Sequence, residues 1–343
     1  MQLATSSCSG FAEDDSESAC AKDVPSVDMF ARRVRLRLDI KVNDWISARI
    51  QPDFGEIDGV RIADAYGRLN LAPDMEHHHA RITLGHFKRP FDGFALTSSS
   101  QFLAIERAIL IPGLPVASFS ALSAGNGLSD RDIGVMVDGS TPDDRFHYWL
   151  GVFNGNLPTD NRDENSGKQL VGRVRATLSA GSLPLEVAVG ASLTDAPFER
   201  ANGELDGEYF FVGELWAELG DFSNGPHLQA GVLLGKNSLP TITGEVDLEA
   251  GDPLPNMLTW QTIGSYKFAL SGNFFLEAVE PLFRITMADP NTDADDNSVW
   301  GLTPGVQFFF DGRTKLAVNW DLAILSGDLD QENSLRAQFQ FYF

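Results

Sequence analysis

The feature that most constrains this chain is the regular alternation of apolar and polar side chains in segment after segment of residues 29–343. The alternation is clearest in residues 315–324 and 335–343, where every second residue is apolar. A period of two is typical of β-strands whose two faces meet different surroundings. The pattern predicts an all-β chain with about 15 strands.

The connections between these strands distinguish a soluble sandwich from a transmembrane barrel. Short connections such as 41–44 and 139–144 alternate with long, acidic ones such as 154–167 and 287–298. The polar face of the strands also carries large charged side chains on strand after strand. Short turns at one rim, long loops at the other and a polar interior are typical of outer-membrane barrels. We therefore predict a transmembrane antiparallel β-barrel over residues 29–343.

Composition narrows the class of protein further. The formal net charge of −22 argues against nucleic acid as a partner, because nucleic-acid binding requires a basic surface. The sequence contains no uninterrupted apolar run long enough for a transmembrane helix, so helical membrane spans are excluded.

The N-terminal residues 1–28 are polar and lack both the basic and the apolar region of a secretory signal. We interpret them as a weakly ordered tail outside the barrel. Cys8 and Cys20 are the only cysteines. They either form a local disulfide bond or remain free thiols, and the sequence leaves both open.

A long insert interrupts the strand pattern at residues 88–130. It mixes aromatic side chains such as Phe91, Phe94 and Phe102 with aliphatic and charged ones. A loop of this length in a compact domain is usually functional, and its apolar residues must pack against another part of the molecule. In a barrel the place for it is the lumen, which it would narrow. Residues 88–130 are therefore predicted to form a lumen or constriction loop.

Three stretches carry a resemblance to a known family. They are FARRVRLRLDIKVNDWISARIQPDF at residues 30–54, LGHFKRPFDGFALTSSSQFLAIERA at 84–108 with RDIGVMVDG at 131–139, and a last strand that ends on Phe343. On these residues the chain resembles the phosphate-selective porin O and P family of Gram-negative outer membranes. The part of the second stretch from LTSS to ERA is the most specific.

The resemblance implies a sixteen-stranded barrel, usually a homotrimer, with a loop folded into the pore and arginine-rich lumen walls. It implies a protein of the cell outer membrane, surrounded by lipid, whose terminal Phe343 is read by the barrel-assembly machinery. The implied function is passive diffusion of small hydrophilic solutes or ions, with a preference for anions or phosphate. The chain departs from the family in lacking a first strand and in having a lumen of mixed charge, which counts against phosphate selectivity.

Projection of the inward-facing positions gives two sets of charged side chains. The basic set, predicted to line the pore and contact anions, is Arg33, Arg35, Arg37, Arg49, Arg81, Arg173 and Arg175. The acidic set is Asp64, Glu186, Glu214, Glu218, Glu277 and Asp321. Guanidinium groups in a partly desolvated constriction attract anions, but the two sets would equally pair with each other as a structural network. The sequence leaves both interpretations open.

Four charged residues border the insert: Lys88, Arg89, Glu106 and Arg107. We predict that they belong to the constriction. In the alternative interpretation, Glu106 and Arg107 tether the loop to the wall and do not contact the solute.

The sequence gives no indication of a catalytic site, a cofactor or a metal. The motifs GxSxG and HExxH and the phosphate-binding and dinucleotide-binding motifs are absent. The adjacent histidines 77–79 cannot easily converge on one ion, and the acidic residues 289–296 lack the glycine and glutamate of an EF-hand loop. Two other functions stay open: an outer-membrane barrel hydrolase, with His147 as a weak candidate, and a non-conducting structural barrel plugged by the insert.

An odd number of strands creates a problem of closure. The first and last strands of such a barrel would pair in parallel, or two edges would stay unpaired in lipid. No alternating strand is recognisable in residues 1–26. We therefore expect that one further strand and a signal peptide are encoded upstream of Met1.

Overall fold

The computed structural model describes residues 2–8, 26–55, 59–72, 80–109, 111, 117–155, 167–199, 205–238, 253–272, 275–326 and 331–341. Their regular structure is one antiparallel sheet of 17 strands and two short helices. The strands are β1 (Gln2–Cys8), β2 (Ser26–Phe30), β3 (Leu38–Lys41), β4 (Ile46–Asp53), β5 (Arg61–Asn70), β6 (Arg81–Lys88), β7 (Arg131–Ser140), β8 (Phe146–Phe153), β9 (Gln169–Ala180), β10 (Leu183–Glu199), β11 (Leu205–Leu219), β12 (Gly225–Lys236), β13 (Asn256–Ala269), β14 (Ala278–Asp289), β15 (Val299–Asp311), β16 (Thr314–Leu325) and β17 (Gln331–Gln340). The helices are α1 (Gly93–Leu96) and α2 (Phe119–Gly125). Neither helix in these ranges has the length and apolar character needed to cross a bilayer.

The strand pairings form a closed series, in which the first strand pairs with the last. From β3 to β17 each strand pairs with the next along the chain, and β1 pairs antiparallel with both β17 and β2. Between β2 and β3, Arg35 forms an isolated bridge with Asp53, and backbone hydrogen bonds join residues 34 and 36 to this part of β4. We therefore count β2 and β3 as one interrupted strand, which reduces the 17 strands to 16. The ladder of pairings then forms a ring, as a transmembrane barrel requires.

The N-terminal residues differ from the sequence prediction. A weakly ordered tail over residues 1–28 is wrong for Gln2–Cys8 and Ser26–Phe30, which are strands that pair with each other. The segment QLATSSC has one large apolar residue, so it carries no period-two signal. Its neighbours on both sides pair with its backbone, and tertiary context of this kind overrides weak β-propensity.

Strand β1 is the additional strand that was not among the 15 strands predicted from the sequence. Gln2 lies opposite Gln338, so β1 begins near the rim at which β17 ends. The expectation of a missing strand upstream of Met1 therefore loses its basis. Cys20 lies outside the described residues, so the question of a bond with Cys8 does too.

The distribution of buried residues is the reverse of that in a soluble protein. Arg284 is 1% exposed, Thr303 is 0% exposed and Asp321 is 2% exposed, whereas Phe283 is 50% exposed and Leu150 is 56% exposed. Soluble proteins bury their aliphatic side chains and expose their charged ones. An apolar outer face with a polar inner face is the arrangement of a barrel surrounded by lipid, and the predicted fold class is confirmed.

The insert between β6 and β7 lies against the inner face of β11–β14, and this contact forms the apolar core. The rings of Phe94 and Phe119 meet edge to face, with centroids 5.1 Å apart. Both rings lie against Gly231 of β12, where a Cβ atom would be 2.9 Å from the Phe94 ring. Glycine at this position lets the insert approach the wall closely. The insert therefore occupies one side of the lumen.

The outward orientation of Leu150, in the middle of β8, gives a test of the fold. We expect Leu150→Arg to destabilise the membrane-inserted barrel by about 2–4 kcal/mol, because an arginine at the lipid-facing midplane carries that cost. The measurement is the free energy of unfolding by urea in phospholipid vesicles. Gln51→Arg adds the same charge on the cavity side of the wall, and we expect it to cost much less. Equal losses in the two variants would contradict the assigned faces.

Candidate functional site

The side of the lumen that the insert leaves open is a cavity of about 740 Å³. Its wall comes mainly from the strands between β2 and β11, and the insert contributes the opposite side. Cationic side chains dominate the lining. They are Arg32, Arg33, Arg35, Arg37, Arg49, Arg61, Arg68, Lys88, Arg107, Arg131, Arg173 and Arg175.

Acidic side chains are fewer in this lining, and each one has an arginine or histidine partner. They are Asp53 with Arg35, Asp64 and Asp130 with Arg131, Glu186 with Arg175 and Glu218 with His227. Among the described residues the lining thus has 12 cationic and 5 acidic side chains, a difference of 7. Three more acids, Asp39, Glu106 and Glu214, pair with arginines of the lining from outside it. The cations still outnumber these 8 acids by 4.

The position of the insert determines which half of the wall lines the cavity, and that half is more basic than the sequence indicated for the whole lumen. The expectation of a mixed lumen counted acids from the whole wall. Glu214 and Asp321 are buried beneath the insert, and Glu277 lies beside the 270–277 connection, where it accepts a hydrogen bond from the amide of Gly312. The insert therefore covers acids and, on the same half of the wall, the cations Arg284 and Lys315, and it leaves the arginine-rich half open.

Six of the seven predicted pore-lining arginines line this cavity. They are Arg33, Arg35, Arg37, Arg49, Arg173 and Arg175. Arg81 does not line it and forms an ion pair with Asp138.

Other cationic residues of the lining were not predicted from the sequence. Arg68 lies four residues after Asp64 on β5 and therefore on the same face of the strand, so the alternation that assigned Asp64 to the lumen also assigns Arg68 to it. Strict alternation from Phe30 would place Arg32 on the apolar face, which is wrong because residues 31–37 are not regular strand and the alternation breaks there. No signal in the sequence marks that break.

Glu106 of the insert is a tether to the opposite wall. Its carboxylate accepts a hydrogen bond from Arg32 Nε at 2.6 Å and one from Arg33 at 3.4 Å. Burial acts to raise the pKa of Glu106, but the positive fields of Arg33 and Arg32 outweigh it and hold the pKa below the ordinary 4.5. Glu106 is therefore ionised at neutral pH and bound to the arginines.

Lys88 and Arg107 both bind the carbonyl end of α1. Lys88 Nζ donates to Ala95 O at 2.5 Å, and Arg107 Nε donates to Phe94 O at 3.0 Å. Cations are favourable at the C-terminus of a helix, where carbonyl groups lack partners. Burial, followed by the field of Arg33, lowers the pKa of Arg107 to about 9, so its guanidinium stays protonated at neutral pH.

Arg89 is not available to a solute, contrary to the prediction that it belongs to the constriction. It is fully buried and donates to Asp132 at 2.7 Å and to Ser129 O at 3.1 Å. Lys88 lies opposite Arg131 at the point where β6 and β7 meet. Arg89 therefore closes the base of the insert between its two ends.

Wall side chains bind the backbone of the insert along most of residues 100–107. Arg284 donates to Glu106 O at 2.8 Å and to Arg107 O at 2.9 Å. Lys315 donates to Phe102 O at 2.8 Å, and Asn319 accepts from Ile105 N at 2.7 Å. Since buried backbone groups require partners, these contacts let an irregular segment be buried in the lumen.

The remaining candidates lie away from this cavity or outside the described residues. Histidines 77–79 are outside them. His147 bonds Asp144 at 2.9 Å and stacks on Trp149. The 289–296 loop is largely exposed. In the part of the chain that the structure describes, no group of three or more histidine, cysteine, aspartate and glutamate side chains is placed to hold a metal.

Comparison with known families decides the identity of the chain. The model of the family described as "Phosphate-selective porin O and P" matches residues 14–214, which are 201 of the 343 residues. The chain belongs to the phosphate-selective porin O and P family. It is an outer-membrane porin, a channel of the Gram-negative outer membrane. A search of curated proteins finds no match to this porin.

Several solved porins have a similar fold. OprB of Pseudomonas putida is 14% identical with a TM-score of 0.62, and the match covers 99% of this chain and 92% of that one. The anion-selective porin of Comamonas acidovorans is 10% identical with a TM-score of 0.60, covering 98% and 95%. OmpF of Salmonella typhi is 12% identical with a TM-score of 0.57, covering 99% and 95%. At these identities the likeness establishes the fold.

The lowered pKa of Glu106 predicts how the porin responds to acid. A carboxylate whose pKa is depressed stabilises the structure above its unfolded pKa, and the contribution is lost as pH falls through the folded value. We expect single-channel conductance to stay constant from pH 7 to pH 5 and to change below about pH 4.5, as the tether is protonated.

Glu106→Gln removes the carboxylate. We therefore expect the conductance of this variant at pH 7 to equal that of the wild type at acid pH, where Glu106 is protonated. Asp143→Asn, at an exposed turn away from the cavity, is the matched control and should behave like the wild type. A change in the wild-type conductance between pH 7 and pH 5 would contradict this account.

Proposed function

We propose that this porin is a passive diffusion channel that prefers anions over cations, with the insert as its constriction. The observation that carries the proposal is the excess of cationic over acidic side chains in the cavity lining. A lumen lined by one sign of charge raises the local concentration of the opposite ions and speeds their entry. Small hydrophilic anions, phosphate among them, are the proposed solutes.

The constriction lies between the insert and the arginines near β3. Arg35 Nη1 lies 3.5 Å from Ser99 Oγ, so wall and insert meet there. In this proposal Arg33, Arg35, Arg37, Arg49, Arg173 and Arg175 contact the anion along one wall. Lys88 and Arg107 contribute positive charge from the other side. Glu106 holds the insert in place and does not bind the solute.

The name of the family and the description of one similar structure agree with this preference. The family is described as phosphate-selective, and the similar Comamonas acidovorans porin is described as anion-selective. Both properties are those of other proteins, and the arginines of this cavity are the reason to propose the same for this chain.

The proposed partners follow from the outer face and from the family. The apolar outer face contacts outer-membrane lipid, and part of it is proposed to form a homotrimer interface. Phe343, which lies outside the described residues, is the proposed signal to the barrel-assembly machinery. The proposal assigns no catalysis to the chain, and His147, the candidate for a hydrolase, has its Nε2 bound to Asp144.

Ion selectivity tests the proposal directly. Reversal potentials in a potassium chloride gradient across a planar bilayer should show chloride to be more permeant than potassium. The triple variant with Arg33, Arg35 and Arg37 each replaced by Glu should shift the reversal potential towards cation preference, because the sign of the lining charge is inverted at the constriction.

The control for the triple variant is Arg145→Glu with Arg313→Glu, because both residues lie outside the cavity lining. We expect little shift in the control. Cation selectivity in the wild type would refute the proposal, and so would a triple variant with an unchanged reversal potential. Absence of conductance in the wild type would favour a barrel plugged by its insert.

A further inference from the structure

Asp92, the residue that precedes α1, is a buried acid without a counter-ion. It is 0% exposed, and its Oδ1 accepts a hydrogen bond from Ala95 N at 3.0 Å. Its Oδ2 is buried without a hydrogen-bond partner, and among the described residues Asp92 forms no ion pair. A buried charge is costly unless it is paired and hydrogen-bonded. The surroundings of Asp92 therefore disfavour its ionised form.

A second buried carboxylate, that of Glu214 on β11, binds the same turn of chain. Its Oε1 accepts a hydrogen bond from Gly93 N at 2.7 Å, and its Oε2 accepts one from Arg173 Nη1 at 3.0 Å. The charged groups that face Asp92 are Glu214, Arg173 and Arg107, and Arg107 donates to the carbonyl groups of α1. Two carboxyl groups in one buried site favour a proton on one of them. Since Glu214 has the arginine, the proton belongs on Asp92.

The immediate contacts of the Asp92 carboxyl agree with a proton at this position. Burial raises the pKa of Asp92 above its ordinary 3.8, although the fields of Arg107 and Arg173 act in the opposite direction. The hydroxyl of Ser123 on α2 lies beside this carboxyl, and its Oγ also lacks a hydrogen-bond partner. A proton on Asp92 Oδ2 supplies the donor that these two oxygen atoms need.

Asp92 lies where a change of charge can move the insert. Its backbone has a φ of 63°, and Asp130 at the other end of the insert has a φ of 72°. Hinges are usually a few such residues at the ends of elements. Gly93 lies so close to β11 that a Cβ atom there would overlap the Trp216 ring. Gly93 and Leu96 also line the cavity, so a movement of α1 away from β11 enters the cavity.

We propose that a proton on Asp92 holds α1 against β11 at neutral pH, and that loss of this proton at alkaline pH releases α1 into the cavity and closes the pore. Asp92 is thus a positioning residue of the constriction. Once ionised, it lies beside the carboxylate of Glu214, and the two like charges repel each other. The inference rests on the insert being the constriction of the proposed channel, and it does not depend on the preference for anions.

The sign of the pH dependence follows from the direction of the pKa shift. An aspartic acid whose pKa is raised in the docked state stabilises that state below the raised pKa, and the contribution is lost as pH rises through it. Linkage to one proton changes the ratio of closed to open pores by about tenfold per pH unit. The Glu106 tether has the opposite sign, because it is lost as pH falls.

Single-channel recordings between pH 7 and about pH 8.5 test this inference. The range stays below the pKa of Arg107, which is about 9. In the wild type, the ratio of closed to open time should rise with pH, with a slope that approaches about tenfold per pH unit.

Asp92→Asn cannot ionise, but it keeps both the helix cap and the left-handed backbone, which asparagine adopts readily. We expect this variant to stay open throughout the range. Asp130→Asn is the matched control at the other end of the insert, where the carboxylate already pairs with Arg131. It should retain the alkaline closure.

Infrared difference spectra between the same two pH values detect the proton independently of conduction. The wild type and Asp130→Asn should lose one band of a protonated carboxyl group as pH rises. Asp92→Asn should show no such loss.

The outcomes separate this inference from the proposed function. A wild type whose closed-to-open ratio does not rise with pH refutes the inference, and so does alkaline closure in Asp92→Asn or a wild type without the infrared band. Cation selectivity in the wild type refutes the proposed anion preference alone. A wild type that does not conduct at any pH refutes both the proposed channel and the closure.

Discussion

The constraint on which this structure depends is that lipid offers no hydrogen bonds. Each backbone amide and carbonyl in the membrane therefore needs a partner in the protein, at a cost of several kcal/mol when it has none. Ring closure through β1 meets this requirement for the first and last strands. For the same reason polar and charged side chains point into the lumen, and apolar side chains form the outer face.

The insert has two effects that come from one contact. Its aromatic residues form the apolar core with β11–β14, and its backbone is bound by polar side chains of the later strands, Arg284 among them. By covering that half of the wall it also buries Glu214 and Asp321. The covered half contains cations as well as acids, so the charge of the open cavity is that of the half of the wall that the insert leaves uncovered.

The sequence was sufficient for the parts of the fold that depend on periodicity. Alternation predicted the barrel, most of its strands and six of the seven arginines assigned to the pore. It could not find β1, because a segment of small polar residues becomes a strand only through its neighbours. It could not place Arg32 either, since the break between β2 and β3 is a tertiary feature. The side of the lumen that the insert covers depends on contacts between residues far apart in the chain.

Those long-range contacts bear on how the protein reaches the membrane. The side chains that hold residues 100–107 stand on β14 to β17, and Gln340 reaches Ser100 across 240 positions of sequence. A chain made from its N-terminus presents Phe94 and Phe119 long before their partners exist, and contacts of such separation form slowly. Transiently exposed apolar surface promotes aggregation. The insert is therefore apolar surface that the growing chain exposes before the strands that cover it have been made.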